Sequence, residues 1–86
     1  MKVVVIGGGK VGGHLAGVLT EKKASVVVVE LSETRARSLA QQSKALVIEG
    51  DGTDVRILEE ADCAHADYLV AVTGSDEDNL VACQLA

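Results

Sequence analysis

"VVVIGGGKVGGHLAGVL", residues 3–19, sets a run of β-branched residues directly against five glycines and then an apolar pattern of a different period. Consecutive apolar positions that end at a turn signal read as a buried strand, and apolar residues recurring every three to four positions read as a helix. Strand Lys2–Ile6 therefore precedes a helix carrying Val11, Leu15, Val18 and Leu19 on one stripe. Between them, Gly7, Gly9 and Gly12 fit the spacing GxGxxG in a single register. Glu30 ends the next apolar run, 18 positions after Gly12, close to the separation of about 20 expected of a dinucleotide-binding fingerprint.

Each of these residue types has a physical role in that pattern. Gly7 permits a tight turn out of the strand. Gly9, lacking a Cβ, lets a pyrophosphate approach the backbone. Gly12 lets the helix lie close to the sheet. The helix start then presents unpaired N–H groups and a positive dipole end to phosphate. A carboxylate at Glu30 accepts the two ribose hydroxyls of an adenosine and repels a 2′-phosphate, which favours NAD over NADP. Gly13 rather than lysine follows Gly12, so the loop is not a P-loop. Lys10 reads as a solvated lysine or as added charge near the phosphates, and Arg35 as a surface charge or a secondary contact to ribose or adenine.

Working outward, Ser25–Glu30, Ala45–Glu49 and Asp67–Thr73 read as further strands, all rich in Val and covered on both faces. Ala36, Leu39 and Ala40 mark a second helix, and Val55, Leu58 and Ala61 a short third one with Thr53 as its cap. Leu80, Val81 and Leu85 mark a fourth helix, capped by Ser75. Strands alternating with helices imply right-handed crossovers. The fold expected is α/β, a Rossmann-like parallel sheet with alternating helices over residues 1–86, truncated at about four strands, as in a fragment or half-fold or else a naturally short chain.

Two further loops fall at the carboxyl edge of that sheet, where open α/β folds bind ligands. Gly50-Asp51-Gly52-Thr53-Asp54 offers a contact to the adenine end of a nucleotide, and Thr73-Gly74 a contact to its phosphate or inner ribose. Glu49, Asp51 and Asp54 match no calcium-loop spacing, and His14 and His65 stand apart from any Cys/His set, so no metal site is expected and both histidines are assigned to solvent.

Composition narrows the function. The chain has 86 residues and a formal net charge of −5. All eight basic residues lie within residues 1–56, and residues 57–86 carry seven acids and no base, which excludes a nucleic-acid binder. No apolar run approaches the ~18 residues of a membrane span. The Lys2-led start is too short and glycine-rich for a signal peptide. Cys63 and Cys83 form neither a disulfide framework nor a metal spacing and read as reduced thiols.

The stretches "MKVVVIGGGKVGGHLAGVL", "VVVVE", "EGDGTDVRILEEA" and "ADYLVAVTGSDEDNLVACQLA" together resemble the TrkA N-terminal domain, also called the RCK or KTN domain, along the whole chain. These are cytosolic regulatory domains of potassium uptake systems and channels. The resemblance implies a non-catalytic domain that binds NAD or NADH, or ATP or ADP in some relatives, and transmits binding to a membrane potassium transporter subunit at the inner face of the membrane. It assigns Gly7, Gly9, Lys10, Val11 and Gly12 to phosphates, Glu30 to ribose, Asp51 and Gly52 to the adenine end, and Thr73 and Gly74 further along the ligand. Ser32 stands where relatives often carry a second acidic or amide residue. The family domain normally continues through two more strands.

The alternative is the cofactor-binding half of an NAD-dependent dehydrogenase, since one fold serves many functions. No Tyr-x-x-x-Lys pair supports it, because no lysine follows Lys44. An unpaired edge at the fourth strand predicts a homo-oligomer, a dimer or larger.

Overall fold

A computed structural model describes residues 1–72 of the chain. The calls on Thr73, Gly74, the Ser75 cap and the helix at Leu80–Leu85 lie outside the described residues. The elements run β1 (Lys2–Ile6), α1 (Lys10–Glu21), β2 (Ser25–Glu30), α2 (Glu33–Gln42), β3 (Leu46–Glu49), α3 (Val55–Glu60), a single 3₁₀ turn (Cys63–His65) and β4 (Tyr68–Ala71). The four strands form one parallel sheet in the order β3-β2-β1-β4. The expected Rossmann-like α/β architecture is thus observed. The chain steps outward from β1 to β3 and then returns to the far side of β1, so the strand order reverses beside β1.

Alternation along β1 and β2 divides the core in two. Val3, Val5, Val26 and Val28 face α1 and α2, where Ala16, Leu15, Leu19 and Leu39 cover them. Val4, Ile6, Val27 and Val29 face α3, where Leu58 and Ala61 close the layer. Burial of a side chain of this size stabilises by about 1.5–3 kcal/mol each, which is why the two central strands consist almost wholly of Val.

The expectation that every strand is covered on both faces holds fully for β1 and β2 and for the middles of β3 and β4, where Val47 and Val70 pack on one side and Ile48 and Leu69 on the other. β3 and β4 are edges among the described residues, and Leu46 and Tyr68 stand open to solvent. Ala45 precedes β3 rather than opening it. Three helical stripes are also narrower than their periodicity suggested; on α3, Val55 is exposed while Leu58 is buried. Val11 is 66% exposed in the first turn of α1, because the helix meets the sheet through Gly12 and Ala16. Ala40 is exposed on α2, where Ala36 is buried and Leu39 half-buried. Among the described residues no helix is long and apolar enough to cross a membrane.

Candidate functional site

The site begins where β1 ends. Gly7 has φ 108°, a region that favours glycine, and its N–H donates to the carbonyl of Val29 at 2.7 Å. The chain therefore turns sharply while still tied to β2. A Cβ on Gly12 would overlap the Gly7 carbonyl oxygen, so α1 crosses the turn at a distance only glycine allows. At Gly9 the situation is reversed. A Cβ there would meet nothing nearer than the Arg35 guanidinium, 4.0 Å away. Gly9 thus borders open space while Gly12 is packed under the loop, as the roles read from the sequence require.

Gly9 is also the cap residue of α1, and it offers no side chain to the helix start. The first bond of the helix runs from the Gly13 N–H to the Gly9 carbonyl, so the preceding helix amides have no partner within the helix. The other two α-helices differ. Ser32 Oγ accepts from the Arg35 N–H at the head of α2, and Asp54 Oδ1 accepts from the Arg56 N–H at the head of α3. Asp54, not Thr53, is therefore the cap of α3. The Thr53 hydroxyl and amide are instead turned back onto Asp51 Oδ1, at 2.7 and 2.8 Å.

Glu30 closes the site from the end of β2. Only 5% of it is exposed, and both carboxylate oxygens are held by main-chain amides: Gly8 N–H donates to Oε1 at 2.8 Å and Ser32 N–H to Oε2 at 2.6 Å. A buried carboxylate satisfied in this way is fixed in position. The Gly50 N–H donates to the Glu30 carbonyl at 2.9 Å, which ties the third-strand loop to the same point. In that loop a Cβ on Gly52 would overlap the side chain of Ile6. Asp51 is exposed, and the hydrogen bonds from Thr53 hold its carboxyl below the ordinary 3.8. Arg56 does the same for Asp54.

These residues enclose a crevice of about 410 Å³ at the carboxyl end of the sheet. Gly7, Gly9, Glu30, Asp51 and Gly52 line it, together with Ile6, Ser32, Arg35 and Val72. Five of the positions expected from the sequence thus converge on one hollow, of a size suited to a small ligand. Lys10 and Val11 are exposed on the first turn of α1, outside the lining, and Gly12 lies beneath Gly7. His14 is exposed as expected; His65 is exposed too, but its Nδ1 lies 2.6 Å from Asp62 Oδ1. Among the described residues no three His, Cys, Asp or Glu side chains gather in a way that could hold a metal.

Sequence reasoning missed two features. One is the pair of amides on Glu30, which depends on how the glycine loop folds over β2. The other is the placement of Arg35, read from the sequence as a surface charge or a secondary contact to ribose or adenine: its guanidinium stands over Gly9. Its spacing from Glu30 was visible, but the direction of its side chain follows from the angle at which α2 leaves the sheet.

Comparison with known proteins gives a consistent placement. The TrkA-N domain matches over residues 3–86. A Trk system potassium uptake protein TrkA homolog of Methanothermobacter thermautotrophicus is 47% identical over 85 residues, covering 99% of this chain and 39% of that protein. A homolog of the same name from Pyrococcus abyssi is 38% identical over 86 residues, covering 100% and 38%. The chain therefore spans about two-fifths of the length of these relatives. Among solved structures, the Kef CTD of Shewanella denitrificans in AMP-bound form matches with a TM-score of 0.81 at 21% identity, covering 100% of this chain and 51% of that one. The UDP-glucose 4-epimerase of Thermotoga maritima with UDP-glucose matches at 0.72 and 24%, covering 88% and 25%. At those identities the two structures establish a shared fold. The glycine turn, the buried acid of β2 and the match along nearly the whole sequence agree: the chain belongs to the TrkA-N domain family.

Proposed function

We propose that this chain is a non-catalytic sensor domain that binds NAD or NADH, or in their place ATP or ADP, and regulates a potassium uptake system. The observation that carries this reading is the placement of Glu30. Its carboxylate is buried at the floor of the crevice, beside a helix start that no side chain caps. The residues fit an adenosine phosphate. Gly9 leaves room for a phosphate to meet the amides of α1, Glu30 is placed to accept ribose hydroxyls, and Asp51 and Gly52 flank the adenine end.

Support for the regulatory role comes from the relatives, which are named as Trk system potassium uptake proteins, and from the AMP-bound form of a neighbour that shares the fold. Binding shifts a conformational equilibrium in an attached transporter subunit only as far as the ligand distinguishes the two states. The β3 edge, unpaired among the described residues, gives the chain a surface for self-association as a homo-oligomer. The reading places the domain in the cytoplasm.

Calorimetric titration with NAD, NADH, NADP, ATP and ADP tests this reading, on the protein and on Glu30→Ala. Binding of NAD(H) or an adenine nucleotide is expected, weaker in the variant, with NADP the weakest ligand. Equal binding of NADP would remove the role assigned to Glu30, and no binding at all would remove the sensor reading.

A further inference from the structure

A second hollow of about 350 Å³ lies on the other side of Gly9, between α1 and α2. It shares Gly9 and Arg35 with the crevice. The two hollows differ in charge. The crevice carries two carboxylates, Glu30 and Asp51, against the single cation Arg35. The second hollow carries Lys10, His14 and Arg35, with no carboxylate, in a chain whose net charge is −5. Arg35 is also set apart from its neighbours. Arg37 pairs with Glu33 at 2.6 Å and Arg56 with Asp54 at 3.1 Å, whereas Arg35 has no carboxylate partner among the described residues. Its guanidinium stands on the saddle between the hollows, where the missing Cβ of Gly9 leaves the path open.

We propose that this second hollow is the seat of the terminal phosphate of a 5′-phosphate chain, with Arg35 as the residue that selects for it. The inference rests on the nucleotide reading of the crevice. A ligand with base and sugar at Asp51 and Glu30 directs its phosphates over Gly9, where a polyanion leaves two carboxylates behind and meets the cations Lys10 and Arg35. A guanidinium suits this task because its fork of N–H donors matches a phosphate face. A phosphate borne on the sugar is disfavoured, since it would sit against the Glu30 carboxylate.

The test compares AMP, ADP and ATP, with NAD and NADP, by calorimetry on the protein, on Arg35→Gln and on Arg35→Lys. Both substitutions are at an exposed helix position and retain good helix formers. ADP and ATP are expected to bind more tightly than AMP. Arg35→Gln is expected to cost ADP and ATP roughly tenfold or more while leaving AMP nearly unchanged, and Arg35→Lys to restore part of the loss. An equal loss for AMP, ADP and ATP, or no loss for any, overturns the proposal and leaves the role of Glu30 standing. So does dependence on Arg35 confined to NADP, which would assign the hollow to a sugar phosphate. Failure of the unsubstituted protein to bind any nucleotide would overturn both readings.

Discussion

Glu30 and Gly8, 22 positions apart in sequence, are joined by a hydrogen bond of 2.8 Å from the Gly8 N–H to the buried carboxylate. The acid that ends β2 therefore anchors the glycine loop that ends β1, in addition to facing the crevice. Glu30→Ala is expected to lower stability by about 1–3 kcal/mol, because it leaves the amides of Gly8 and Ser32 without their acceptors. Chemical denaturation without ligand measures this. Unchanged stability would mean that water replaces the carboxylate at both amides.

Gly12 and Gly9 are glycine for opposite reasons, and alanine should separate them. Gly12→Ala places a methyl on the Gly7 carbonyl and is expected to cost about 1–3 kcal/mol or more, or to prevent folding. Gly9→Ala meets only the Arg35 guanidinium at 4.0 Å and should cost less than about 1 kcal/mol while weakening nucleotide binding. Thermal melts of both variants, with and without ADP, make the comparison. A Gly9→Ala protein that binds ADP as well as its parent would contradict the phosphate path.

Ile6 is 2% exposed, packs against Val29 and Leu58 beneath the site, and fills the space beside Gly52. Ile6→Ala is expected to destabilise by about 2–5 kcal/mol. Leu46→Ser, on the outer strand, should stay within about 0.5 kcal/mol in the monomeric state. Urea unfolding of the two proteins checks the contrast. A large loss at Leu46 that shrank on dilution would instead reveal a partner chain on β3.

At the opposite end of the sheet, Asp62 sits in a left-handed turn with φ 60°. Lys2 Nζ lies 2.9 Å from its Oδ2, and His65 Nδ1 2.6 Å from its Oδ1. Lys2 first, and then His65, hold its carboxyl below the ordinary 3.8. A carboxyl that titrates lower in the folded than in the unfolded chain contributes its full stability above the unfolded value, and that contribution fades as pH falls through the folded one. Lys2→Met should therefore flatten the decline of the urea midpoint between about pH 5 and pH 2. Parallel acid limbs in the two proteins would show that this pair is too well solvated to matter.

Periodicity and glycine spacing were enough to specify much of this molecule. Runs of Val at consecutive positions marked β1 and β2, and the switch to helical spacing after Gly12 marked α1, because both signals are local properties of the chain. The candidate site was legible for a related reason. Gly7 is selected by backbone conformation, Gly9 by the open space it borders and Glu30 by its position at a strand end, and their spacing follows from order along the sequence. An unpaired edge was expected, but how far the outer strands stand open was not legible. Nothing in "LVIE" or "YLVA" states that one side lacks a neighbour among the described residues, so β3 and β4 read as buried when two of four residues in β3 and one of four in β4 are open.

Element order, the parallel sheet and the acid that ends β2 were thus determined by the sequence itself. Only the tertiary structure decided which amides hold Glu30, that Asp54 and not Thr53 caps α3, and that Arg35 stands on the saddle between two hollows. The physical reason is one of range. Strand and helix tendencies are set by residues within a few positions, whereas a side chain's partner depends on the angle at which distant elements pack.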